Sequence, residues 1–161
     1  MTKILVSSCL LGHKVRYNGS SLAVEEKDFK KLVSLNEIII FCPEISAGLP
    51  TPRPSVEITN GEGSDVLEGS ARALCFNGRD LTREFILGAQ NALRLCIKEA
   101  VQFAVLTESS PSCGSSLIYD GSFTGVKKTG MGITAALLEM NGIKVFSQYN
   151  SSELLKCLGQ K

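Results

Sequence analysis

Net charge is nearly absent from this chain: 17 Lys and Arg against 16 Asp and Glu leave +1 over 161 residues. No one-sided field therefore gathers nucleic acid or an anionic membrane surface. No apolar run approaches the length of a bilayer span. Val6-Ser7-Ser8-Cys9 superficially invites a lipoprotein reading, but the segment before it lacks the long apolar stretch of a secretory signal. The expected location is the cytoplasm. There is one histidine, His13, and no C-x-x-C pair, so the paired spacing of structural zinc is missing. Repeats, linkers and low-complexity tails are missing too, and the length suits one domain, residues 1–161.

What remains is an ordinary globular composition with a readable order of elements. Lys3 to Ser8 reads as a short buried strand, and residues 24–35 as an amphipathic helix around Phe29, Leu32 and Val33. "EIIIF", Glu37 to Phe41, is a second buried strand by its β-branched run. "CPEISAGLPTPRPS" must be a loop, because Pro43, Pro50, Pro52 and Pro54 forbid regular pairing. Residues 56–80 read as a small irregular or hairpin insert with turn signals at "NGEG" and "NGRD". Thr82 to Ala100 is the clearest helix, with Phe85, Ile86, Ala89, Leu93, Cys96, Ile97 and Ala100 on one stripe and Thr82 or Asp80 at its cap. "FAVLT" and "IKVFS" are the third and fourth strands. Ile133 to Met140 is a helix between Gly132 and Asn141-Gly142, and Ser152 to Leu158 a final short one. Strands alternating with helices predict an α/β fold with a parallel sheet.

Six cysteines are present, and three share a position. Cys9 follows "ILVSS", Cys42 follows "EIIIF", and Cys113 follows "FAVLTESSPS". Each lies just past the carboxyl end of an expected parallel strand, the edge where open α/β sheets bind ligands. Cys75, Cys96 and Cys157 read as structural, and His13 as a solvated loop residue. Three thiols on one rim leave two readings open: a catalytic metal or cluster site, or three core cysteines. A cluster held by three thiolates keeps one iron free as a Lewis acid.

Three long blocks carry a resemblance: "SSCLLG…VRYNG", "CPEISAGLPTPRPSVEI" and "SPSCGSSLIYDGSFTGVKKTGMGITAALL". In these the chain resembles the thiouracil desulfidase family, in order and over nearly its whole length. The resemblance implies a Rossmann-like α/β/α sandwich with a mainly parallel sheet. It implies a [4Fe-4S] cluster on Cys9, Cys42 and Cys113, and exchange of the thiocarbonyl sulfur of a thiolated pyrimidine for oxygen. Two departures stand out: Val15 where many relatives carry cysteine, and Thr107-Glu108 where they often carry lysine, so that Glu108 is expected to bear on substrate preference.

Within that reading Glu44 is the expected base, being on the same loop as Cys42. Ser112, in preference to Ser110, is expected to hold the water or the heterocycle. Arg53 is expected either on a substrate phosphate or, as the default, paired with Glu57. Tyr119 and Asp120 are expected in a tight turn without chemistry. The expected partner is a small thiolated pyrimidine, as base, nucleoside or nucleotide, with no membrane and no strong nucleic-acid contact. The rival reading is a cysteine phosphatase using Cys9 and Arg16. One residue too many separates that pair for a phosphate loop, and the rival leaves Cys42 and Cys113 unexplained.

Overall fold

The computed structural model describes residues 2–160. Along the chain run β1 (Lys3–Ser7), α1 (Lys27–Leu35), β2 (Glu37–Phe41), α2 (Pro43–Ser46), β3 (Val56–Thr59), α3 (Gly63–Glu68), β4 (Arg72–Cys75), α4 (Thr82–Glu99), β5 (Phe103–Leu106), β6 (Leu117–Tyr119), β7 (Lys127–Thr129), α5 (Ile133–Met140), β8 (Lys144–Ser147) and α6 (Ser151–Cys157). Four strands form one parallel sheet in the order β2-β1-β5-β8. The chain goes from β1 to one neighbour and later returns to the other, so a topological switch point opens between β1 and β5.

Alternation along the strands builds the two faces. Ile4 and Val6 of β1 pack with Phe29, Leu32, Leu154 and Leu155, under α1 and α6. Leu5 faces the other way, with Ala92, Cys96, Ala135 and Leu138 of α4 and α5. The result is the expected α/β/α sandwich. A third cluster joins the first half of α4, through Phe85 and Ala89, to Val56, Ile58 and Ala73 of the insert. One long helix thus serves the sheet with its second half and the insert with its first.

Several expectations need adjustment. The insert is not a simple hairpin: β3 and β4 pair antiparallel, but α3 lies between them. "PEIS", expected as loop, forms the short helix α2, with Pro43 at its first turn where no N–H is missed. The antiparallel pair β6-β7 was not anticipated. Helix α1 begins only at Lys27, where the Glu26 carboxylate accepts from the N–H groups of Asp28 and Phe29. The cap of α4 is Leu81 rather than Thr82; the Thr82 hydroxyl instead accepts from Ala73 N–H, and Asp80 takes the Thr82 N–H. The α4 stripe runs through Ala92, while Ile97 is 69% exposed. No described helix is long and apolar enough to cross a membrane.

Candidate active site

Register brings the carboxyl ends of the strands level: Ser7 lies beside Phe41, and Val6 beside Val105. The chain leaves β1 in a 3-10 turn, Ser8–Leu11, which carries Cys9 and ends at Gly12 with φ of 94°. Cys42 is the residue before α2. That helix can lie against α4 because Gly88 has no side chain; a Cβ there would sit 2.5 Å from the Pro43 carbonyl oxygen. Cys113 lies in the loop after β5.

That loop is fastened at two points. The Glu108 carboxylate accepts the N–H groups of Ser109, Ser115, Ser116 and Leu117 and the hydroxyls of Ser115 and Ser116. Burial works to raise its pKa, but the Leu117 and Ser116 hydrogen bonds outweigh it and hold the carboxyl below the usual range. At the other end, the loop caps α5. The N–H groups of Ile133, Thr134 and Ala135, which a helix start leaves without partners, donate to the carbonyls of Pro111 and Ser112. Gly132 permits this docking, since a Cβ would lie 2.5 Å from the Ser112 carbonyl carbon.

Cys9, Cys42 and Cys113 line one cavity of about 280 Å³, near the small end of ligand pockets. Its walls also include Arg16, Tyr17, Glu44, Arg53, Ser110 and Tyr119. Cys9 and Cys113 are buried, Cys42 half-buried. Burial pushes all three thiols up; at Cys113 the negative charges of Glu44, Cys42 and Cys9 push further in the same direction. Among the described residues no three Cys, His, Asp or Glu side chains close on one point as a single ion requires.

Glu44 and Arg53 meet at the cavity wall. Arg53 donates from Nε to Glu44 Oε2 at 2.7 Å, and its Nη2 lies 2.6 Å from the same oxygen. Its remaining donors reach the carbonyls of Pro50 and Val15 and the Thr51 hydroxyl. Arg53 thus pairs with Glu44, not with Glu57, whose carboxylate accepts Gly121 and Phe123 N–H. Its side chain is 4% exposed, and its donors are spent inside the protein. Burial pushes the Glu44 carboxyl up, against the pull of Arg53.

The two serines separate. Ser110 is on the cavity wall, its Oγ accepting from Ser112 and Cys113 N–H. Ser112 is fully buried, its hydroxyl bonded to that of Thr134, and it is absent from the wall. Tyr119 lines the cavity, although Asp120 beside it forms the anticipated turn with Ser122. Cys75 and Cys96 are core residues, Cys157 is exposed, and so is His13.

Two hydroxyls went unnoticed in the sequence. Thr107 Oγ1 is hydrogen-bonded to Cys9 Sγ at 2.9 Å, and the Ser7 hydroxyl donates to Cys113 Sγ at 3.9 Å. Their signal was positional: each stands at the carboxyl end of a strand bordering the switch point. The phosphatase rival loses support here. Arg16 shares the cavity with Cys9, but a nucleophilic cysteine needs a depressed pKa, and that of Cys9 is raised.

A parallel α/β sheet with three thiols around a cavity at its switch point is the frame on which the comparisons fall. The chain belongs to the 2-thiouracil desulfurase family, whose model matches residues 4–150. An uncharacterized Bacillus subtilis protein, YbbK, is 43% identical over 152 residues, 94% of this chain and 99% of that relative. Among solved structures, the [4Fe-4S]-dependent thiouracil desulfidase TudS is similar over 100% of both chains, with a TM-score of 0.88 and 42% identity.

Proposed function

We propose that this protein is a [4Fe-4S]-dependent desulfidase that converts a thiolated pyrimidine of the 2- or 4-thiouracil type to its oxo form. The observation that carries the reading is the ring of Cys9, Cys42 and Cys113 around one cavity. The donor set fits the cluster: three soft sulfur donors lining one cavity. Two buried thiols and one half-buried thiol, all with pKa values raised by burial, need a cationic occupant to ionise together. Cys9, Cys42 and Cys113 would hold the cluster, which supplies a thiophilic Lewis acid at the iron no cysteine ligates.

The remaining work falls to the chain's own side chains. Overall, C=S and water become C=O and hydrogen sulfide, with no net electron transfer. Water must lose a proton as its oxygen bonds to the ring carbon, and sulfur must gain protons as the C–S bond breaks. Glu44 is the base: it lies on the wall, and burial raises its pKa, which strengthens it as a proton acceptor. Arg53 fixes its orientation through Oε2 and pulls against the upward shift, which leaves Oε1 for water. Ser110, not Ser112, supplies the hydroxyl at the wall. Tyr17 and Tyr119 bound the space for the ring.

The test is anaerobic reconstitution followed by absorption spectroscopy, iron and sulfide analysis, and loss of the thiouracil thione band. Stoichiometric iron with turnover, both lost in Cys42→Ala, supports the reading. A protein that takes up no iron overturns it.

A further inference from the structure

The hydroxyl on Cys9 has one direction available once that sulfur is ligated. Thr107 is the first residue past β5 and faces Ser7, the last residue of β1, across the switch point. Its N–H donates to Ser7 Oγ at 3.1 Å, which fixes its backbone. Thr107 is 8% exposed and Ser7 4%, so water does not compete freely for either hydroxyl. In the thiol state either atom of the Cys9–Thr107 pair can donate. A metal-bound thiolate has no proton, so there the threonine must be the donor.

We propose that Thr107 is a positioning residue for the cluster: its hydroxyl donates to the Cys9 thiolate, orients that ligand and raises the reduction potential of the bound cluster. The proposal rests on the desulfidase reading above. The cause is charge: a donor to a ligating sulfur draws electron density from it and favours the more reduced cluster. Ser7 supports the arrangement twice. It accepts from Thr107 N–H and offers its own proton towards Cys113. The third thiol, Cys42, is served by backbone instead, from Ile45 and Glu44 N–H at the start of α2. The two ligands bordering the switch point are therefore tied by side-chain hydroxyls, and only these can be altered without moving the main chain.

The test uses holoprotein reconstituted without oxygen, with the midpoint potential read by redox titration and iron counted per chain. Thr107→Val removes the hydroxyl and keeps the branched shape; Thr107→Ser keeps the hydroxyl and loses a methyl. The expected result is a negative shift in Thr107→Val, a wild-type value in Thr107→Ser, and a smaller negative shift in Ser7→Ala. Loss of iron in the valine variant with retention in the serine variant supports the same role. An unshifted valine variant, or a serine variant altered as much as the valine one, overturns it and leaves the desulfidase reading intact. A wild type that binds no iron overturns both.

Discussion

Replacing Glu108 by alanine removes the acceptor of four backbone N–H groups and two hydroxyls. A hydrogen bond to a charged group contributes about 1.5–3 kcal/mol net. Ser116 and Leu117 are exposed and regain water, so the half-buried N–H groups of Ser109 and Ser115 make up most of the loss. The expected cost is about 3 kcal/mol, and about half that for Glu108→Gln, which keeps one acceptor oxygen but no charge. The assay is urea unfolding of the cluster-free, reduced protein by circular dichroism, in which the midpoint falls at unchanged slope. The pH dependence has a definite sign. The folded carboxyl titrates below its unfolded value, so in that interval the unfolded chain binds the extra proton. The stabilisation is full above the ordinary glutamate pKa of about 4.3 and fades as pH falls below it. Wild-type and Glu108→Gln midpoints should therefore converge in acid. An alanine variant within about 0.5 kcal/mol of wild type, or a Gln gap independent of pH, refutes the view that this carboxylate fastens the Cys113 loop.

Glu44→Gln should keep its contact with Arg53 and its iron, yet lose about 10²–10⁴-fold in turnover; full activity with full iron removes Glu44 as the base. Gly132→Ala forces a Cβ against the Ser112 carbonyl, and both Tm and iron content should fall, by about 1–3 kcal/mol for stability. Unchanged iron there would mean that docking on α5 does not place Cys113. Burial pushes the Cys96 thiol up to about 11, so it should resist alkylation in the native state while exposed Cys157 reacts, as peptide mapping after iodoacetamide would reveal.

Local pattern was enough for the four parallel strands and the main helices, because each is a short-range property: β-branched runs, a helical stripe, a glycine at a helix end. It was also enough to put Cys9, Cys42 and Cys113 on one rim, since a parallel sheet aligns its carboxyl ends wherever the strands fall in the chain. Partner choice was another matter. Arg53 and Glu57 are near neighbours in sequence, but Arg53 lies buried against Glu44 while Glu57 turns to the loop at Gly121 and Phe123. Ser110 and Ser112 are one proline apart, and only the approach of α5 decides which faces the cavity, because Thr134 takes the Ser112 hydroxyl. Glu108 and Thr107 gave little local sign of their partners, since those partners sit across a loop and across the sheet. Local residue pattern settled which elements form and which edge carries the thiols. Tertiary packing decided which oxygen, cation or sulfur each polar side chain meets, because a buried polar group must take whatever partner folding brings within reach.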